Sequence, residues 1–137
     1  MAVERWIIDK SALVRLTSSP DTEAWRQRIN RGLVHISTIT RLEFGFSARN
    51  ADEWVANETS APMKLMPTEY MTPSIETRAL DVQRLLAQKG QHRAASIPDL
   101  LVAASGEMAS LTILHFDKDF DLIAEITGQK SEWLAHD

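Results

Sequence analysis

The sequence contains no cysteine. Disulfides and thiolate metal centres are therefore excluded, which suits a reducing cytoplasm. No apolar run approaches the roughly 18 residues that a bilayer-spanning helix needs, so no membrane association is expected. The opening stretch MAVERWIIDKS lacks a basic leader, a long apolar middle and a small-residue cleavage site. A secretory signal is not expected, and the expected location is the cytoplasm. Basic residues are not in excess either: 15 Lys and Arg face 19 Asp and Glu, a net charge of −4. That counts against a nucleic-acid binder relying on bulk electrostatics alone. His35, His92, His115 and His136 show no close zinc spacing and have no cysteine to assist them. No repeat, low-complexity tract or linker interrupts the 137 residues, and a single domain over 1–137 is expected.

What is present is an ordinary globular mixture, 44% hydrophobic and 25% charged, with short apolar runs alternating with longer amphipathic segments. VERWIID (3–9) reads as a buried strand, followed by helix-like SALVRL. SPDTEAWRQRINRG (19–32) reads as a helix capped by Ser19 and ended by Gly32. LVHIS (33–37) is a second strand. TITRLEFGFSAR (38–49) reads as helical despite Gly45, and ADEWVANETSA continues helically to Pro62. MKLMP (63–67) is a third candidate strand. SIETRALDVQRLLAQKG (74–90) places Ile75, Ala79, Val82, Leu85 and Leu86 on one face of a helix. SIPDLLVAASGEMA (96–109) is an apolar helix, LTILHF (111–116) the clearest strand, DFDLIAEITG a closing helix and SEWL a candidate fifth strand. Strands separated by helices predict an α/β fold with a mostly parallel sheet covered on both faces.

Chemistry in such sheets collects at the carboxyl ends of the strands. Asp9 ends the first strand and Asp117 follows the fourth. Glu43 lies about two turns into the helix after the second strand, and Asp99 opens the helix before the fourth. With Asp119 close by, these acids converge if the first and fourth strands are neighbours. Converging carboxylates repel and raise one another's pKa values unless a cation neutralises them. A hard ion such as Mg2+ takes oxygen ligands and phosphate oxygens, and lowers the pKa of a bound water. That chemistry suits phosphodiester hydrolysis.

Each acid also has an ordinary reading. Asp99 in Ser96-Ile-Pro-Asp99, and Glu43 three residues after Thr40, match capping-box spacing. Asp9 can cap the following helix; Asp117 and Asp119 can solvate a turn and favour a helix N-terminus. His115 alternates with Asp117 and either touches the site or is simply packed. Arg93, shortly before Asp99, binds phosphate, pairs with the acids or lies on the surface. The four tryptophans read as core or interface residues rather than base-stacking platforms. An EF-hand fails, because Leu122 stands where the turn needs glycine and Gly128 where the bidentate Glu belongs. A phosphatase forming an aspartyl-phosphate on Asp117, and an interaction domain whose acids only cap helices, remain as alternatives.

Taken together, IIDKSALVRL, STITRLEFGFSAR and IPDLLVAASGEMASLTILHFDKDFDLIAEITG resemble, in order and over nearly the whole chain, a PIN-domain ribonuclease of the VapC toxin type. The resemblance implies a three-layer α/β/α domain with a mostly parallel sheet of four or five strands. It implies a Mg2+- or Mn2+-dependent endoribonuclease acting on tRNA, rRNA or mRNA. It further implies a homodimer and a VapB-type antitoxin that blocks the site, with operator DNA reached only through that antitoxin. Asp9, Glu43, Asp99 and Asp117 would be the catalytic, metal-holding acids, Asp119 an auxiliary acid and Arg93 a basic neighbour. Two positions depart from the common pattern. Lys10 stands where many relatives have Thr, although Ser11 follows and can supply the hydroxyl. His115 stands where many have Thr or Ser.

Overall fold

A computed structural model describes residues 3–137. Five short strands, β1 (Trp6–Ile8), β2 (Val34–Ser37), β3 (Thr68–Glu69), β4 (Thr112–His115) and β5 (Ser131–Trp133), form one sheet in the order β3-β2-β1-β4-β5. Every neighbouring pair is parallel. Parallel neighbours need crossover connections, and seven helices supply them: α1 (Lys10–Leu13), α2 (Thr22–Asn30), α3 (Thr38–Phe46), α4 (Ala51–Thr59), α5 (Pro73–Gln88), α6 (Ile97–Ala109) and α7 (Asp119–Thr127).

The central strands are apolar on both faces because both faces are covered. Ile7 and Ile113 pack beneath α5, α6 and α7, against residues such as Val82, Leu86, Ala103 and Phe120. Trp6, Ile8, Ile36 and Leu114 pack on the opposite side with Leu13 of α1 and Trp25 and Ile29 of α2. The result is the expected three-layer α/β/α arrangement. Gly106 lets α6 lie against the sheet: a Cβ there would stand 2.3 Å from Ile113 Cδ1 and 3.1 Å from Ile7 Cγ2.

The chain runs from β1 outward to β3, then returns to build β4 and β5 on the other flank. Strand order therefore reverses between β1 and β4, where open α/β sheets leave a crevice at the strands' carboxyl ends. Asp9 N–H continues the ladder by donating to Leu114 O at 2.9 Å.

Three boundaries differ from expectation. MKLMP is not a strand: Met63–Leu65 forms a 3-10 turn that buries Met63 and Met66, and the strand is the polar pair Thr68–Glu69. An i, i+3 pair of buried methionines resembles an apolar strand in composition but has a turn's period. The helix expected from Ser19 starts at Thr22, because Ser19 Oγ accepts from Asp21 N at 3.1 Å and forms a turn first. Helicity also breaks after Phe46 and restarts when Asn50 caps α4 through Glu53 N. Gly45 stays inside α3, where a Cβ would meet Trp54 Nε1 at 2.5 Å.

Candidate active site

Asp9 leaves β1 in an extended conformation and caps α1. Its Oδ2 accepts from Ser11 N at 3.0 Å and from Ser11 Oγ at 2.7 Å. The same hydroxyl oxygen accepts from Phe116 N at 2.9 Å, so Ser11 ties the end of β1 to the segment leaving β4. Ser11 thus directs its hydroxyl to Asp9. Asp9 Oδ1 is buried and has no partner among the described residues.

Asp99 occupies the first turn of α6. Ser96 Oγ accepts from Asp99 N at 3.2 Å, which is half of a capping box. The other half is not made by Asp99. Ser96 N donates instead to Asp119 Oδ2 at 3.1 Å. The Asp99 carboxylate is thereby released from capping, and its buried Oδ2 has no partner among the described residues. Asp117 Oδ1 accepts from Asp119 N at 2.9 Å and fixes the start of α7. Asp99, Asp117 and Asp119 each bring one oxygen within 4.8 Å of the others.

Glu43 lies in the middle of α3 rather than in a cap, because Ser37 caps that helix through Ile39 N. Its Oε1 is buried without a partner among the described residues. Asp9 and Glu43 lie outside the tight group of three, while Asp119, expected only as an auxiliary acid, lies inside it. The D-x-D spacing carried that signal, since an Asp in a turn can bond the amide two residues on, as Asp117 does to Asp119.

The electrostatics follow from burial and crowding. Asp99 is pushed up to about 9, first by burial, then by the charge of Asp9 and the approach of Asp119 and Asp117. Burial also raises Asp9, against the opposing hydrogen bonds from Ser11, with Asp117 adding to the rise. Glu43 is raised by burial and by Asp9, while the Lys10 ammonium opposes the shift. Lys10 Nζ donates to Ser47 Oγ at 3.0 Å, which holds this cation on the α3 flank. Lys10 offsets only part of this repulsion, and the acids are held together at an energetic cost.

His115 is fully buried and does not line the cluster with an open face. Its ring packs 5.0 Å from Phe120 and 4.9 Å from Trp133. Its Nδ1 accepts from Asp117 N at 3.2 Å, which places the ring proton on Nε2. Burial lowers its pKa and keeps the ring neutral. His115 thus holds the Asp117 amide through its ring nitrogen. Arg93 is exposed in the connection between α5 and α6.

The PIN domain family matches residues 6–126 of this chain. The chain is 60% identical over 136 residues to Ribonuclease VapC2 of Mycobacterium tuberculosis, covering 99% of this chain and 96% of that one. It is 41% identical to Ribonuclease VapC51 of the same organism, covering 96% and 93%. Among solved structures, DNA-bound VapBC from Salmonella typhimurium superposes with a TM-score of 0.75 at 16% identity, covering 96% of this chain and 98% of that one. At that identity the likeness speaks for the fold alone. This chain belongs to the PIN-domain family.

Proposed function

We propose that this protein is an endoribonuclease of the VapC type, the toxin of a toxin–antitoxin pair, and that it hydrolyses RNA phosphodiesters with a divalent cation. The observation that carries the reading is the approach of Asp99, Asp117 and Asp119 to within 4.8 Å, with unpartnered buried oxygens on Asp9, Asp99 and Glu43. An oxygen-only donor set without cysteine suits Mg2+ or Mn2+ rather than zinc. Asp99, Asp117 and Asp119 would hold the ion, with Asp9 and Glu43 completing the acidic wall. When bound, such an ion supplies Lewis-acid activation of water and neutralises charge on the scissile phosphate.

The protein's own groups do the positioning. Ser11 aims Asp9 through two hydrogen bonds, and the Phe116 amide fixes Ser11 in turn. His115 and the Asp119 amide set the direction of Asp117. Near neutral pH Asp99 carries a proton that has to leave when a cation enters, so loading the site is coupled to proton release. The acids form a shelf at the carboxyl ends of β1 and β4, and an extended strand of RNA would cross it there.

The partners follow from the same reading. VapBC complexes from Salmonella typhimurium and Rickettsia felis bound to DNA share this fold. We assign this chain a VapB-type antitoxin that covers the acids, a homodimeric toxin, and contact with operator DNA only through the antitoxin. No helix of the described residues is long and apolar enough to cross a membrane. The phosphatase and interaction-domain alternatives find no support among relatives described as ribonucleases.

The test is cleavage of a panel of structured RNAs in EDTA, Mg2+ or Mn2+, with Asp99→Asn and Asp117→Asn proteins purified identically. Metal-dependent cutting at a defined position, lost in both folded variants, is the expected result. Equal cutting by wild type and variants would remove the acids from catalysis.

A further inference from the structure

The acids explain how a phosphate could be cut, but not how a chain of net charge −4 holds RNA beside them. Half of the ten arginines are committed elsewhere: Arg26, Arg41, Arg49, Arg78 and Arg84 pair with carboxylates. Arg15 is different. Among the described residues it has no carboxylate partner. Its guanidinium lies 4.7 Å from the centre of the Phe116 ring, and one nitrogen donates to Ser11 O at 2.8 Å. Two neutral contacts therefore hold a charged fork beside Ser11, which itself aims Asp9. Such a fork is pre-organised and retains donors for an anion, and planar guanidinium suits phosphate.

The ring beneath it continues into a second feature. Phe116 packs edge-on against Trp133 at 5.4 Å and against His136 at 5.5 Å. Two tryptophans, Trp6 and Trp25, are buried in the core, but Trp133 is 45% exposed. It is not loose: its Nε1 donates to both oxygens of Asp121 at 3.1 Å, and His115 packs against it. With its polar atom satisfied and its position fixed, an indole presents aromatic surface at little further entropic cost. Phe116 directly precedes Asp117 and its amide donates to Ser11 Oγ, so the cation and the rings are tied to the segment that carries the acids, near the carboxyl ends of β1, β4 and β5.

We infer that Arg15, Phe116 and Trp133 form a nucleotide subsite for single-stranded RNA, with a backbone phosphate on Arg15 and a base stacked on Trp133. Phe116 joins the two and positions Arg15. The subsite rests on the ribonuclease reading above and adds to it where the substrate strand runs: off the acids toward the β5 edge. Aromatic stacking combined with a guanidinium is the usual chemistry for holding unpaired nucleotides, and it tolerates different bases.

The test uses the full chain and short labelled single-stranded oligoadenylate and oligouridylate as probes. Fluorescence anisotropy in Ca2+ measures Kd across a salt series, and cleavage of an RNA cut by wild type measures KM. Arg15→Met is expected to weaken binding roughly tenfold at low salt and to flatten the log–log salt slope by about 0.7, the share of one phosphate on a single strand. Trp133→Leu is expected to weaken binding roughly tenfold with the salt slope unchanged, and Trp133→Phe to restore most of it. Arg84→Met, which removes one distant positive charge, controls for net charge and should bind as wild type.

If wild type cuts and binds RNA while Arg15→Met and Trp133→Leu keep its Kd, KM and slope, the subsite is wrong and the nuclease stands. If Arg15→Lys and Trp133→Phe fail as badly as the severe variants and melt early, the residues are structural and the subsite is wrong. If wild type neither binds nor cuts RNA, the ribonuclease reading falls and takes the subsite with it. If RNA binding is untouched but a protein partner is lost, the surface is a protein interface instead.

Discussion

Ser11 shows how much of the site hangs on one hydroxyl. It donates to Asp9 and accepts from the Phe116 amide, a bond that spans 105 positions in sequence. Ser11→Ala strands the Phe116 amide and half-frees Asp9. A loss of about 1–3 kcal/mol in urea denaturation is expected, together with a fall in cleavage, and Ser11→Thr should recover much of both. Asp99 makes a second prediction. Its folded pKa of about 9 lies above its ordinary value of 3.8, so the folded metal-free protein holds this proton more tightly than the unfolded chain. The corresponding stability is full below the ordinary value and is lost progressively as pH rises toward 9. In EDTA, Asp99→Asn should therefore match wild type most closely near about pH 4 and exceed it increasingly toward about pH 8. Equal pH profiles for the two proteins would contradict the shift. Metal affinity has the opposite trend and should rise with pH, because the proton must leave first.

At the scale of elements, α6 controls the geometry. It presses on the sheet through Gly106 and carries Asp99 at its other end. Gly106→Ala puts a methyl group against Ile113 and Ile7, and should cost about 1–3 kcal/mol by overpacking. A shifted α6 also displaces Asp99, so cleavage should fall further than stability alone explains; intact activity in a destabilised protein would refute that link. The same elements show what the sequence made legible. β1, β2 and β4 are readable because strands buried on both faces are dominated by apolar residues. β3 is not, because a two-residue edge strand needs no apolar signature, and the methionines before it mimic one. Strand-end logic pairs Asp9 with Asp117 as soon as β1 and β4 are neighbours. That Asp119 rather than Asp99 completes the cap on Ser96 could not be read locally, since the bond spans 23 residues and depends on how α6 meets α7.

At the scale of the whole molecule, charge and topology dominate. The clustered acids oppose folding in the absence of a cation, so an ion binding only the folded state should raise stability. At a concentration about a hundredfold above its Kd, Mg2+ or Mn2+ contributes about 2.7 kcal/mol, which for a domain of this size raises Tm by roughly 10 °C. Differential scanning calorimetry with and without EDTA reads this directly, and Asp117→Asn should shrink the shift. The topology bears on when such a protein becomes dangerous. β1 sits at the centre of the sheet, and its β4 partner comes from the far end of the chain. Closing so long a loop is among the slowest steps of folding. The carboxylates meet only when that step is done, so an incomplete or half-folded chain carries every acid up to its break and still cannot assemble the shelf. A potentially lethal activity is in this way withheld by chain connectivity alone until assembly is finished.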